Sequence, residues 1–253
     1  MLPAIEYSPK SYWDGVGRRL GERSDNRLLA GEESPFYAVK RAMFLERLLL
    51  PALEAADNLV LEVGCGPGGN IEWLEKRGVQ MLGVDLSSAM LQSARRHDVD
   101  RLAQANATAL PMASGSVDSV ITVTVLQHND DDSAAQIAGE LGRVARKRVH
   151  LFEDTGVVAL HDRSSHWLRK PEWYVAEMTR AGYRLEARRR LPLAVSELLA
   201  NGLRAAARRR QPEGAPIPES QVRLETKLLG VTTRLDGILP PAIGITRLSF
   251  TRF

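Results

Sequence analysis

One cysteine, Cys65, stands in 253 residues, so no disulfide can form within the chain, and a reducing, cytoplasmic setting is expected. No apolar run approaches the ~18–20 residues that a membrane-spanning helix needs, so no membrane partner is expected. The opening MLPAIEYSPK lacks the basic start and apolar stretch of an export signal. No His, Cys and carboxylate cluster has metal-ligand spacing, so no metal is expected. Repeats and low-complexity tracts are missing too. With 44% hydrophobic and 26% charged residues, the composition excludes disordered, collagenous and coiled-coil classes.

Neither charge sign dominates the whole, at net +3, but the charge is unevenly spread. Residues 1–160 hold 17 basic and 22 acidic side chains; residues 161–253 hold 17 and 9. A basic final third raises the question of a nucleic-acid or acidic partner. The basic residues come in short runs, among them Arg188–Arg190 and Arg208–Arg210, as on solvated helices and strands.

What is present alternates. Apolar runs at 58–63, 80–85, 117–125 and 148–153 read as strands. Helical patterns lie between them at 69–78, 87–97 and 132–146, the last two begun by Ser87 and by Asp130–Asp132. Such alternation predicts βαβ units around a parallel sheet. Residues 36–55 read as one helix with a break at Pro51. A helix begins at Pro171, and residues 183–191 and 245–253 read as strands. Between those two strands, stretches 194–209 and 218–235 are amphipathic and read as a helical cap. The expected division is an N-terminal helical segment at 1–57 covering the site, a core at 58–192, a cap at 193–243 and a final core strand at 244–253.

The loop Leu61–Gly69 follows a strand and opens a helix. Its glycines let the backbone approach a ligand, and the helix start offers free N–H groups. Gly64, Gly66 and Gly69 satisfy the dinucleotide pattern G-x-G-x-x-G. Asp85, 19 residues after Gly66, ends the next strand, where a carboxylate can accept both hydroxyls of a ribose. These two features alone suit a nicotinamide cofactor equally well. The stretch Ala105–Pro111 and the Leu126–Asp131 segment after the fourth strand discriminate.

Taken together, these four elements resemble the class I S-adenosylmethionine-dependent methyltransferases over roughly residues 58–190. Glu62, Gly64, Gly66 and Gly68 match the acidic residue and glycines of that family's loop, and Asp85 matches its second-strand acid. The resemblance implies a Rossmann-like, doubly wound, mostly parallel seven-stranded α/β sheet. It also implies S-adenosylmethionine as cofactor and S-adenosylhomocysteine as product. By the same resemblance Gly64, Cys65, Gly66 and Gly68 approach the methionine part, and Glu62 orients the loop. Leu86 and Met90 line the adenosine pocket, Asn106 and Ala107 meet the adenine, and Thr122 and Val123 lie by the methyl end. The family usually has aspartate at 106; asparagine can still accept through its carbonyl oxygen. Tyr37 and Arg41, on the segment before the first strand, are candidates for the cofactor carboxylate.

Methyl transfer requires the acceptor to be held in line with an already activated donor. An oxygen acceptor also needs a base, whereas a neutral amine does not. His128, past a strand's carboxyl end, is the first candidate base, followed by His166 and His161. His150 and His97 read as structural. Tyr12, Trp13, Trp167 and Tyr174 are candidates for the acceptor pocket. The expected function is methyl transfer to an oxygen or nitrogen of a small molecule, a metabolite or natural-product intermediate. One alternative is an RNA or peptide methyltransferase using the basic final third. Against it, no Asn/Asp-Pro-Pro-aromatic motif is present. A second is a non-catalytic cofactor-binding partner.

Overall fold

Burial at every position, not every second one, marks the central strands. Strand β1 (Val60–Val63) is buried throughout, and β4 (Val117–Val123) is buried at all but its last residue. Such strands need cover on both faces. The computed structural model describes residues 8–21, 34–53, 58–161, 166–208, 218–238 and 243–253. In chain order it has α1 (Pro9–Gly21), α2 (Pro35–Phe44), β1, α3 (Gly69–Glu75), β2 (Met81–Asp85), α4 (Ser88–Arg95), β3 (Leu102–Gln104) and β4. Then come α5 (Asp131–Val144), β5 (Ala145–Gly156), the ribbon β6 (Leu160–His161) and β7 (Trp167–Leu168), and α6 (Pro171–Arg180). The chain closes with β8 (Tyr183–Arg190), α7 (Ala194–Arg208), α8 (Glu219–Asp236) and β9 (Ile243–Arg252).

Seven strands form one sheet in the order β3-β2-β1-β4-β5-β9-β8. The first five run parallel, and β9 lies antiparallel to β5 and β8. The mostly parallel, doubly wound α/β sheet is as the sequence implied. Neighbouring residues on a strand feed opposite cores: Ile121 and Phe152 pack with α2, α3 and α4, while Val120 and Leu151 pack with α5 and α6.

Several boundaries differ from the sequence reading. Strand β3 was not anticipated, being three residues with little burial. Helix α5 stops at Val144 because β5 begins there and runs to Gly156. The expected helix over 36–55 is α2 followed by a π turn at Leu45–Leu49 and a 3-10 turn at Leu50–Ala52. Pro51 lies in that last turn and has no N–H to extend it.

Helix α1 lies across α4. Gly17 makes the approach possible, since a Cβ there would stand 2.7 Å from the Met90 nitrogen. The Ser87 hydroxyl donates to Asp14 at 2.7 Å while accepting from the Met90 N–H, which joins the two helices. The hydrogen bond from Lys10 and that from Ser87 hold the Asp14 carboxyl at about 2.

Between the paired strands β8 and β9 stand α7 and α8, in the place the sequence assigned to a cap. Asp236, at the end of α8, accepts the Val195 N–H at 2.6 Å and so caps the start of α7. Glu225 of α8 accepts the Phe36 N–H at 2.9 Å and caps α2. Lys40 of α2 pairs with Glu197 of α7 at 2.8 Å. These bonds tie the cap to the helix that precedes β1. On edge strand β8 Arg188 and Arg189 are exposed; Arg209 and Arg210 lie outside the described residues. Among the described residues no helix is long and apolar enough to cross a membrane.

Candidate active site

Parallel strands open their ligand crevice at their carboxyl ends, where the strand order reverses. Here the reversal lies between β1 and β4, and a cleft of about 520 Å³ sits above it, under α1 and α2. The loop after β1 forms one wall. Gly64 takes φ 74°, and a Cβ on it would come within 2.3 Å of the Val125 side chain. Gly66 and Gly68 are also left-handed, at φ 52° and 78°. Asp85, at the end of β2, accepts the Gly66 N–H and the Ser87 N–H, each at 2.8 Å. Burial raises its carboxyl, partly offset by those two N–H groups.

Below this loop runs a chain of three polar side chains. Arg41 of α2 donates to Asn70 of α3, and Asn70 donates to Glu62 of β1. Arg41 and Glu62 are 8% and 1% exposed, and neither is fully used. Arg41 Nε and Nη2 and Glu62 Oε2 are buried with no hydrogen-bond partner. Burial lowers the Arg41 guanidinium to about 10 and raises Glu62 to about 7, each moderated by the other's charge.

The loop after β4 forms the opposite wall. Thr124 sits in the left-handed region at φ 54°, a strained position for a side chain branched at Cβ. Buried Glu153 of β5 accepts the N–H groups of Val125, Leu126 and Gln127 at 3.0 to 3.2 Å. Arg169 donates to the carbonyls of Leu126 and Asn129 from the other side. The short helical turn so fixed presents Gln127 and His128 to the cleft. The His128 ring meets Trp13 of α1 at 5.2 Å between centroids and His166 at 5.8 Å.

At the far end, above β5 and β9, the cleft is lined by Lys40, Phe44, Asp154, Glu197 and Ile245. Burial would lower the Lys40 ammonium, but the charges of Asp154 and Glu197 outweigh it and raise its value.

The cleft brings together Glu62, Gly64, Cys65, Gly66, Asp85, Leu86, Met90, Asn106, Ala107, Val123, Tyr37, Arg41, Tyr12, Trp13 and His128. Other candidates stand elsewhere. Gly68 begins α3 and packs toward Ala94 and Val99. Thr122 faces Glu153 at 3.4 Å, because alternation along β4 turns it away from the side Val123 presents. Tyr174 is wholly buried in the core under α5 and α6, since its place on α6 faces the sheet. His166 lies behind His128, outside the lining, and Trp167 sits in the β6–β7 ribbon. The side chain of His161 lies outside the described residues. Asn106 uses its side-chain oxygen to accept the Thr108 N–H at 3.1 Å, leaving one lone pair for an adenine. Buried His150 bonds Ser249 at 2.9 Å, a structural role. Asn70, Gln127, Glu153, Asp154 and Glu197 were not singled out from the sequence. The Glu153–Asp154 pair at a strand's carboxyl end was a legible signal; Asn70 and Glu197 matched no motif.

Residues 61–152 match a family described as a methyltransferase domain. The malonyl-[acyl-carrier protein] O-methyltransferase of Enterobacter lignolyticus (strain SCF1) is 38% identical over 98 residues, 38% of each chain. The 18S rRNA (guanine-N(7))-methyltransferase of Mus musculus is 33% identical over 85 residues, 33% of this chain and 30% of that one. The chain thus spans about a third of the length of these curated relatives. Among solved structures, the [4+2]-cyclase SpnF superposes with a TM-score of 0.68 at 14% identity, covering 96% of this chain and 95% of that one. Geranyl diphosphate C-methyltransferase from Streptomyces coelicolor A3(2) gives 0.61 at 14%, covering 97% and 100%. Residues 61–152 thus carry a methyltransferase domain, and the S-adenosylmethionine that the sequence resemblance implies is the cofactor to set against the cleft.

The residues present fit that cofactor. The unpartnered Nε and Nη2 of buried Arg41 and the unpartnered Oε2 of buried Glu62 suit the carboxylate and ammonium of an amino acid. Arg41 and Glu62 would hold those groups, Asp85 the ribose hydroxyls, and Leu86, Asn106 and Ala107 the adenine. Among the described residues no group of three His, Cys, Asp or Glu could hold a metal ion.

Proposed function

We propose that the chain transfers a methyl group from S-adenosylmethionine to an oxygen or nitrogen of a small molecule, a metabolite or natural-product intermediate, in the cytoplasm. Bound in the cleft, the cofactor would supply an electrophilic methyl carbon with a neutral thioether as its leaving group. The chain's part is to fix both reactants and exclude water. Arg41 and Glu62 anchor the amino-acid end of the cofactor, and Asp85 anchors its sugar. His128, held by the Glu153–Arg169 loop beside Trp13, accepts the proton when the acceptor atom is a hydroxyl.

The observation that carries this reading is that the Arg41–Glu62 pair and His128 share a cleft of about 520 Å³ with Lys40, Asp154 and Glu197. Its walls hold four carboxylates (Glu62, Asp85, Asp154, Glu197) against two cations, Lys40 and Arg41. That balance repels a phosphate backbone and speaks against an RNA acceptor.

Fold does not select the reaction, since the [4+2]-cyclase shares it. The test is therefore in two steps. Calorimetric titration should show micromolar binding of S-adenosylmethionine and S-adenosylhomocysteine and none of NAD. A screen of small acceptors with methyl-labelled cofactor should then move label onto one of them. Binding without label transfer to any acceptor would leave a cofactor-binding partner in its place.

A further inference from the structure

The sheet beneath the cleft divides it. The residues that fit the cofactor come from α2 (Arg41), from β1 (Glu62) and from the carboxyl ends of β2 and β3 (Asp85, Leu86, Asn106 and Ala107). A second set stands over β5 and β9. Asp154 and Ile245 are direct register partners on those two strands. Lys40 and Phe44 lie one turn apart on α2, and Glu197 comes from α7 of the cap. The cofactor makes no demand for these five residues. They form the remaining end of the cleft, the end left for the acceptor.

Charge decides what this end takes. Among the described residues that line this end Lys40 is the one cation, and it is already committed; the Arg190 guanidinium, outside the lining and bonded to Thr155 and Thr246, also lies in the field of Asp154. The Lys40 ammonium bonds Glu197 at 2.8 Å and lies in the field of Asp154. An anionic group entering the cleft would have to take Lys40 from Glu197 and then sit beside two carboxylates. Asp154 is in the opposite condition. Its carboxylate lines the cleft and accepts no hydrogen bond from any described residue, although its backbone N–H is bonded to Gln127. A half-buried carboxylate in the cleft wall has its acceptor positions open to a donor on a bound ligand. Glu197 accepts from Lys40 alone among the described residues, and a carboxylate has room for about four donors. Phe44 and Ile245 supply apolar wall beside these acids.

We propose that Asp154 and Glu197 are the specificity-determining residues of the acceptor site, and that they seat a protonated amino group while Phe44 and Ile245 cover the apolar body that carries it. The inference rests on the methyl-transfer reading of the same cleft. A protonated amine has no lone pair and cannot attack a methyl group. The amino group is thus a handle, and the methylated atom is a different one on the same molecule, nearer His128. Cationic acceptors are selected over anionic ones of the same shape.

A matched set of phenols tests this: tyramine, 4-ethylphenol and 4-hydroxyphenylacetate carry a positive, a neutral and a negative tail. Each is titrated into the full chain saturated with S-adenosylhomocysteine, with binding read by saturation-transfer NMR. Tyramine should bind about tenfold or more tighter than the anion, with the neutral probe between them, as expected of a like-charge penalty. Asp154→Asn with Glu197→Gln should reduce that preference to under about threefold while S-adenosylhomocysteine affinity stays within about twofold. Glu197→Gln also breaks a tie between cap and α2. Asp154→Asn alone leaves that tie in place and should still cut the preference by about threefold or more. Equal binding of the three probes (failure of all three included), tighter binding of the anion, or a preference that survives both substitutions would overturn the proposal. Failure to bind S-adenosylhomocysteine in the first titration would instead overturn the methyl-transfer reading itself.

Discussion

Glu153 and Arg169 grip the same loop from opposite polarities. The carboxylate accepts the N–H groups of Val125, Leu126 and Gln127, and the guanidinium donates to the carbonyls of Leu126 and Asn129. Both side chains are buried, at 0% and 4% exposure. The loop between them holds one 3-10 turn, which leaves the N–H groups of Val125, Leu126 and Gln127 to be met by Glu153 and lets Arg169 reach the carbonyls of Leu126 and Asn129. Its rigidity places His128 and Gln127 at the cleft.

Glu153→Gln keeps the size and removes half of the acceptor. One of the converging N–H groups then meets an amide N–H. We expect a loss of about 2–3 kcal/mol of stability, the cost of leaving a buried donor unpaired next to a charged network. Turnover should fall further than stability alone explains, because His128 loses its fixed place. Urea unfolding and steady-state rates on the folded variant separate the two effects; an unchanged unfolding midpoint would show that Glu153 does not hold the loop.

Glu62 gives the cofactor site a pH dependence. Burial raises its carboxyl to about 7, against the opposing pull of Asn70 and Arg41. In the ligand-free protein the raised value favours the protonated form. This group's contribution to folding is thus full below the unfolded value and is lost as pH rises through about 7. Cofactor binding has the opposite sign, since an ammonium beside Glu62 needs the charged form. S-adenosylhomocysteine should therefore bind about tenfold more weakly at pH 6 than at pH 8, with a proton released on binding at the lower value. Glu62→Gln should bind weakly and without that slope. Calorimetry in buffers of different ionisation enthalpy reads both quantities.

Helix α1 is a removable wall. Gly17 lies so close to α4 that a Cβ would stand 2.7 Å from the Met90 nitrogen and 2.9 Å from the Ala89 carbonyl carbon. Both obstacles are backbone and cannot swing aside. Gly17→Val should lift α1 and carry Tyr12 and Trp13 away from the cleft. The sheet core, which α1 does not enter, should keep its melting temperature within about 3 °C, an energy under about 1 kcal/mol. Limited proteolysis should cut the α1 segment first, and acceptor turnover should drop. A variant that resists protease as the parent does would show that α1 tolerates the added methyls.

The sheet and the cofactor wall were legible because their signals are local. Gly64, Gly66 and Asp85 lie at strand ends that composition marks clearly, and the structure brings them to one wall of the cleft. Misplacements have physical reasons. Thr122 sits next to Val123 in sequence, yet strand alternation sends it to Glu153 on the other face. Tyr174 follows a helix start that would suit a pocket, but the 3.6-residue period turns it into the core. Strand β3 is three residues long and nearly exposed, so no apolar run betrayed it. Glu197 and Asn70 owe their positions to packing between elements distant in sequence, and no spacing within the chain encodes that. Arg41 was found as part of a segment, but its bond to Asn70 and its facing of Glu62 needed the fold.

Asn70 is where that long-range packing can be tested. It accepts from Arg41 and donates to Glu62, keeping a cation and an anion in one orientation without letting them pair directly. Two consequences follow from its removal. The Asn70 donor is the largest influence lowering the Glu62 carboxyl, so Asn70→Ala should move the midpoint of the affinity-against-pH curve above about 7. The two charged side chains also lose the arm that orients them, and each then meets the cofactor less well. S-adenosylhomocysteine should bind about tenfold more weakly at pH 8, equivalent to one lost charge-assisted hydrogen bond. Asn70→Gln, which has the same groups on a longer arm, should recover part of the affinity. A direct cofactor contact at Asn70 predicts a different pattern: weaker binding with the midpoint unmoved. The midpoint therefore decides between a residue that touches the cofactor and one that positions the groups that do.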